Sequence, residues 1–396
     1  MTNLDAIGDD LLQAARGLQD ETIELRRSIH AEPEIGLQLP QTQAKIVEAL
    51  TGLGLDIKLG ESTTSVVADL DTGRPGPTVL LRGDMDALPL TEDFVSDFQS
   101  RREGAMHACG HDAHVAMLAS AARLLSEHRD QLVGRVRFMF QPGEEGYHGA
   151  KYMIEEGVLD GVDRAFAIHV VTTMPNGMIM TKGGPLLASA DEFHITVNGS
   201  GGHASAPHNC IDPIPPAAAM VGGLNSIVSR DLDPTQSAVL TIAHITAGTT
   251  TNIIPASAFL EGTIRTFDED VRSKIHAAVE RVATGTAASH GCTCSCEVVP
   301  GYPVTVNDDD QAQLTGEVAA ALLGADGFRI SEQPAFAAED FSYVLNRVPG
   351  AMAMLGVCPD DVSPDQAAPN HSNFMRVNES ALYHGVGLYA AMAMVV

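Results

Sequence analysis

The sequence predicts an α/β protein: a main domain with a mixed, largely parallel sheet and helices on both faces, split by an inserted ferredoxin-like α+β domain. Three observations lead there. Short apolar, β-branched runs alternate with amphipathic helical stretches, the pattern of strands joined by helical crossovers. Polar clusters follow the ends of those runs, where open α/β sheets carry their ligands. Near Gly183 the alternation gives way to strand–helix–strand–strand–helix–strand, the order of a ferredoxin-like layer. A chain of 396 residues also suits two domains better than one.

In chain order, Leu4–His30 and Pro40–Leu53 carry apolar positions at helical spacing, the second ended by Gly52 and Gly54. Strands follow at Ser65–Leu70 and Thr78–Leu81, the latter running straight into RGDMDALP. Ala113–His128 reads as an amphipathic helix, Val136–Phe140 as a strand ending at QPGEEG, and Arg164–Val170 as a strand ending at His169. The insertion reads as strand 192–198, helix 214–229, strands 238–247 and 258–266, helix 269–290 and strand 292–299. The expected boundaries are therefore 1–185 and 300–396 for the main domain and 186–299 for the insertion.

Charge narrows the partners. With 24 basic against 51 acidic side chains the net charge is −27, which repels phosphate backbones and anionic membranes and speaks against nucleic acid. No apolar run approaches the roughly 18 to 20 residues that span a bilayer. The acidic, amphipathic N-terminus is not a signal peptide. Six cysteines, three of them within five positions, make no disulfide framework, so a reducing cytoplasm is expected. Cys292, Cys294 and Cys296 alternate along a strand and read as core filling.

The densest chemistry is MHACGHDAH, residues 106–114, with His107, Cys109, His111, Asp112 and His114. Thiolate, imidazole and carboxylate together are the ligand set of zinc and its neighbours. Cys109 and His111 are two apart and can face one ion from an extended loop, whereas His114 lies on the helix and reads as a packing or hydrogen-bonding residue. Glu144 and Glu145 sit side by side in a glycine-bracketed turn. One of two such carboxylates can coordinate a metal while the other handles a proton, though an acidic turn is also ordinary in so acidic a chain. His169 ends an apolar strand, a place where a lone His is more often core than ligand. His371 lies in the polar loop PNHSNF, and Asp84 and Asp86 follow a strand, where an Asp can orient a ligand. Together Cys109, His111, Glu145, His169 and His371 exceed one tetrahedral site and suit two ions about 3.5 to 4 Å apart with a bridging group.

With these residues in view, the sequence is similar to the metal-dependent N-acyl amino-acid amidohydrolases, the group of hippurate hydrolases, aminoacylases and plant auxin-conjugate hydrolases. The similarity runs through HAEPEIG (30–36), RGDMDALP (82–89), MHACGHDAH (106–114), QPGEEG (141–146), GGHASAPH (201–208), NIIPASAFLEGTIRTFD (252–268) and NHSNF (370–374). It implies a dinuclear site of Cys109, His111, Glu145, His169 and His371, with Cys109 bridging, Glu144 as general base and Asp86 supporting from behind. It further implies that the insertion dimerises two copies and acts as a lid, that His203 stabilises the oxyanion, and that Asn252 and Arg265 hold the substrate's free carboxylate.

The expected reaction is hydrolysis of N-acyl amino acids or small dipeptide-like amides with two divalent ions per subunit, Mn²⁺ or Zn²⁺, with Co²⁺ or Ni²⁺ also compatible. Alternatives are a dipeptidase or carboxypeptidase of the same fold, a non-catalytic metal-binding homologue, and a hydrolase using Cys109 as nucleophile. Two departures stand out. Asp84 occupies the position of a His ligand in the wider family, and Tyr147 and His148 replace a run of glycines after the Glu pair.

Overall fold

The computed structural model describes residues 4–395. They form two compact units: the chain up to Gly184 with Val306–Gln333 and the segment from Tyr343 onward, and Pro185–Thr305 with Pro334–Ser342.

The first unit is built on an eight-stranded mixed sheet. Its strand order is Asp56–Leu59, Val66–Asp71, Arg135–Gln141, Thr78–Asp84, Arg164–Val171, Gly350–Gly356, Ile179–Thr181 and Phe328–Ile330. The central pairings, from Arg135–Gln141 to Gly350–Gly356, are parallel. Alternate residues of these strands (Phe138, Phe140, Phe166, Ile168, Val170, Ala351, Leu355) enter one apolar core with Leu118 and Leu125 of the helix His111–Glu127 and Leu388 of the helix Leu382–Met394. The His111–Glu127 helix is buried at every position from His111 to Ala122, as a helix enclosed by other elements must be. Truncating Phe138 to Ala there costs about 3–5 kcal/mol.

The sequence reading set out no separate elements after residue 299, so the strands Phe328–Ile330 and Gly350–Gly356 and the helices Asp309–Leu323 and Leu382–Met394 are additions, as is the strand Ile179–Thr181. Three further details differ. The opening helical stretch is two helices, Leu4–Gly17 and Gln19–His30, because the backbone tightens to a Leu18 N–H to Ala15 bond beside Gly17, a poor helix former. A short strand, Asp56–Leu59, pairs antiparallel at the sheet edge; its charged, four-residue sequence carries no strand signal. The third strand continues past Leu81 to Asp84, pairing Arg82, Gly83 and Asp84 with Met139, Phe140 and Gln141. Arg82 and Asp84 are thereby wholly buried, and their 2.8 Å ion pair offsets the desolvation.

The second unit is a four-stranded antiparallel sheet in the order Ala238–Ala247, Ser257–Thr266, Asp191–Asn198, Thr293–Pro300. Helices Ile214–Arg230 and Glu269–Ser289 close its core with Phe193, Ile195, Leu224, Leu260, Ile264 and Val279. The second helix starts where Asp268 accepts the Val271 N–H, a cap worth about 1 kcal/mol. Ala258, Leu260 and Ile264 are buried while Phe259, Glu261 and Arg265 take the other face, the alternation expected of a sheet covered on one side. Cys292 is buried in this core, with Cys294 and Cys296 packed against it. Among the described residues, no helix is long and apolar enough to cross a membrane.

Candidate active site

Four separate segments of the first unit converge at the carboxyl ends of the parallel strands. Cys109 sits in the loop before the His111–Glu127 helix, and His111 is that helix's first residue. Gly110 between them has φ +92°, and a Cβ there would meet Val170 at 2.3 Å, so only glycine lets this loop close against the strand that carries His169. Glu144 and Glu145 follow the strand Arg135–Gln141 through Gly143 at φ +70°. His371 adopts φ +69°, left-handed backbone that a side chain other than glycine rarely takes.

Cys109 Sγ lies 3.4 Å from His169 Nε2 and 3.3 Å from His371 Nε2. His371 Nε2 is also 3.3 Å from Glu145 Oε1, and His111 Nε2 is 4.0 Å from that oxygen. Two sets of donors, Cys109 with His111 and His169, and Cys109 with Glu145 and His371, each have all ligand atoms within 4.8 Å of one another. Cys109 belongs to both. The donor chemistry, thiolate with imidazole and carboxylate, fits divalent cations of the zinc group. His111 Nε2 is buried without a hydrogen-bond partner among the described residues, the state expected of an atom meant for an ion.

The backbone aims these rings. His111 Nδ1 donates to the Asp86 carbonyl at 2.9 Å and His169 Nδ1 to the Val170 carbonyl at 2.8 Å, which leaves both Nε2 lone pairs for a metal. The Asp86 carboxylate accepts the backbone N–H of Glu144 at 2.9 Å and of Glu145 at 3.0 Å. Glu144 is buried, its Oε2 3.9 Å from His111 Nε2.

Comparison with known proteins gives the family. The model of peptidase family M20/M25/M40 matches residues 80–395. The chain belongs to peptidase family M20/M25/M40. It is 39% identical over 389 residues to thermostable carboxypeptidase 2 of Saccharolobus solfataricus, covering 97% of this chain and 98% of that protein. An IAA-amino acid hydrolase of Arabidopsis thaliana is 38% identical, with 94% of this chain and 84% of that protein covered. The crystal structure of the Bacillus subtilis YXEP protein, a dinuclear metal-binding peptidase of the M20 family, superposes with a TM-score of 0.84 at 33% identity over 96% of this chain and 98% of that one. As an M20 protein the chain is a hydrolase, and its site is suited to two divalent ions.

Charge in the M20 site is strongly coupled. Burial pushes the Cys109 thiol up, but the imidazoliums of His169 and His111 outweigh it and bring it down to about 6. Burial opposes charge on His169 as well, yet the Cys109 thiolate raises it to about 9. Hydrogen bonds to Cys109 and Glu145 raise His371 to about 10. Protons on these imidazoles balance the charge that a cation would balance.

His114 stands apart. Its Nε2 accepts the Val170 N–H at 2.8 Å and its Nδ1 binds Asp84, so both ring nitrogens are spent. Burial lowers its pKa to about 4, and the ring is neutral. Asp84, held by Arg82 and His114, is kept well below the ordinary carboxylate range: burial works against it, and Arg82, His111 and His114 prevail.

In the second unit, His203 pairs with Ile253 in a two-residue ladder, and the Ala204 N–H donates to the Asn252 carbonyl at 3.0 Å, so His203 and Asn252 are neighbours. His203 Nδ1 accepts from the Ser205 hydroxyl at 2.7 Å. Arg265 projects from the uncovered sheet face, its pKa lowered by partial burial.

One residue of this site carried no signal in the sequence. Asn370 precedes His371, and its carboxamide donates to the Cys109 carbonyl at 2.9 Å and the Val170 carbonyl at 3.0 Å. An Asn before a His has no chemistry of its own to betray such a role.

Proposed function

We propose that the protein hydrolyses the amide bond of N-acyl amino acids, releasing a carboxylic acid and a free amino acid. The observation that carries this reading is Cys109 shared by two donor sets, with the buried Glu144 carboxylate beside them. Cys109, His111 and His169 would hold one ion, and Cys109, Glu145 and His371 the other. Mn²⁺ or Zn²⁺ suits this mixed set best, with Co²⁺ and Ni²⁺ compatible. Such ions, when bound, polarise an amide carbonyl and make water acidic.

The protein's own groups do the rest. Glu144 accepts a proton from the attacking water and returns it to the leaving nitrogen. Asp86 fixes the Glu144 backbone while this happens. From the second unit, His203 donates to the oxyanion, and Arg265 and Asn252 receive the free α-carboxylate. The neighbouring positions of His203 and Asn252 support that assignment.

The second unit also serves as lid and homodimer contact in this reading. Its edge strand Ala238–Ala247, AVLTIAHITA, has no acidic or basic side chain apart from His244 and no proline, the devices that usually keep an edge from pairing. Six free cysteines favour a reducing, cytoplasmic setting.

The relative named carboxypeptidase favours a second reading, cleavage of C-terminal residues from peptides. Metal-reconstituted enzyme assayed on N-acetyl, N-benzoyl and longer N-acyl amino acids beside unblocked dipeptides decides between them. Higher kcat/KM on the N-acyl series supports the amidohydrolase; higher kcat/KM on dipeptides replaces it with the peptidase.

A further inference from the structure

Three of the metal donors meet at Cys109 Sγ, yet they come from different kinds of backbone. His169 lies on a strand paired along its length with Gly350–Gly356, where Met354 is its direct neighbour. Cys109 and His371 lie in loops, and His371 is in left-handed backbone, a conformation that costs about 1–3 kcal/mol and persists only when its surroundings hold it. Two contacts bear on it. The His371 N–H donates to the Ala108 carbonyl at 2.7 Å. The other is indirect: the side chain of Asn370, the residue before it, ties this turn to the Cys109 and Val170 carbonyls.

We propose that Asn370 is the positioning residue that assembles the Cys109–His169–His371 junction, and that it sets the affinity for the ion held by His371. Its carboxamide is used at both ends. One N–H donates to the Cys109 carbonyl at 2.9 Å, fixing the thiolate's own residue. The other donates at 3.0 Å to the Val170 carbonyl, the same oxygen that receives His169 Nδ1–H at 2.8 Å. Its Oδ1 accepts the Thr172 N–H at 3.3 Å, and the Thr172 hydroxyl turns back to the Ala368 carbonyl at 2.7 Å, closing the loop onto the strand end. One side chain therefore touches the backbone of two donor segments and directly precedes the third.

The two donor sets depend on it unequally. His111 is fixed independently by its helix and by the Asp86 carbonyl, and His169 by its strand. His371 and Cys109 have no such regular frame. Removing the carboxamide frees the left-handed turn to relax, which moves His371 Nε2 away from its 3.3 Å approach to both Cys109 Sγ and Glu145 Oε1. Loss of groups that orient metal ligands typically costs about 10- to 100-fold in affinity.

This inference rests on the dinuclear reading above, and the test separates the two. Metal-free wild type, Asn370→Ala and Asn370→Gln are titrated with Mn²⁺ and with Zn²⁺ by calorimetry, and the metal-free proteins are melted in parallel. Asn370→Gln keeps the carboxamide but displaces it by one methylene, so it reports on placement even if the alanine variant folds poorly. The expected result is two sites in wild type, with the ion of His371 weakened about 10- to 100-fold in the variants and the other, which shares Cys109 but keeps His111 and His169, weakened clearly less. The metal-free melting temperature stays close to wild type. Co²⁺ loading gives a second readout, because its thiolate charge-transfer band reports the Cys109 bond and should weaken or shift. Two wild-type-like affinities in Asn370→Gln overturn the positioning role alone. Equal loss at both sites together with a lowered metal-free melting temperature makes Asn370 a general loop staple and also overturns it. Wild type that binds no metal overturns the dinuclear reading and this inference with it.

Discussion

The Asp86 carboxylate accepts the backbone N–H of Glu144 at 2.9 Å, and its second oxygen takes the N–H of Glu145 at 3.0 Å. A side chain from the end of one strand thus grips the turn after the neighbouring strand, and its own carbonyl orients His111. Through these bonds Asp86 decides where the two glutamates point.

Asp86→Asn should therefore damage turnover more than stability. The amide's NH₂ cannot accept from a backbone N–H, so one glutamate N–H loses its partner, at about 1–3 kcal/mol, and the turn reorients. We expect kcat to fall about 10- to 100-fold with the fold intact. Wild-type kcat in a metal-replete variant would dismiss the coupling between Asp86 and the Glu pair.

Glu144→Gln should keep metals and fold but lose about 10²- to 10⁴-fold in turnover, because a neutral amide cannot carry the proton. Glu145→Gln should instead weaken metal binding first, since Glu145 Oε1 faces His371 Nε2 at 3.3 Å. Paired kcat and metal-content measurements distinguish the two glutamates, and reversed effects would exchange their roles.

Chelation addresses the role of Cys109. A thiol brought down to about 6 is a thiolate at neutral pH, which suits a metal ligand and a nucleophile alike. Activity should vanish on dialysis against a chelator and return with Mn²⁺ or Zn²⁺, at two ions per subunit by elemental analysis. Full activity in the metal-free protein would instead assign Cys109 to covalent catalysis.

Metal-free protein should lose stability as pH rises from 7 to 10. His169 at about 9 and His371 at about 10 both lie above the ordinary 6.5, so their contribution is complete below 6.5 and is lost as pH climbs through 9 to 10. Cys109 works oppositely: its contribution is complete above the ordinary 9.0 and is lost as pH falls through about 6. His111, also raised, adds to the imidazole side, which outnumbers the single thiol. Thermal melts across this range provide the check, and a melting temperature that climbs toward pH 10 would show that the imidazoles are not held as cations.

Arg265→Ala should lower kcat/KM on N-acyl amino acids about 10- to 100-fold, the weight of a hydrogen bond to a charged group. The corresponding amino-acid amides, which lack that charge, should scarcely change. Equal losses on acid and amide would make Arg265 a structural residue of its sheet.

The sequence by itself offered the candidate donors and determined the architecture that carries them. Cys109 and His111 two residues apart before a helix and the paired glutamates after an apolar strand were legible as candidates, because metal ligation demands particular residue types; His371 in a polar loop joined them, and His169 read by itself as core. The periodicities of two and 3.6 likewise placed the inserted sheet, four of the eight strands of the main sheet and several helices, since burying one face of a strand or helix imposes a repeat. Tertiary structure alone decided the rest. That Arg82 and Asp84 continue a strand and are buried together, that His114 spends both nitrogens on Val170 and Asp84, and that Asn370 reaches the carbonyl of Cys109 across 261 residues of chain left no mark in local pattern. These are side chains bonded to charged partners or to backbone distant in sequence. A backbone carbonyl is the same on every residue, so no residue type announces that it will be bound, and only the folded chain brings donor and acceptor within reach.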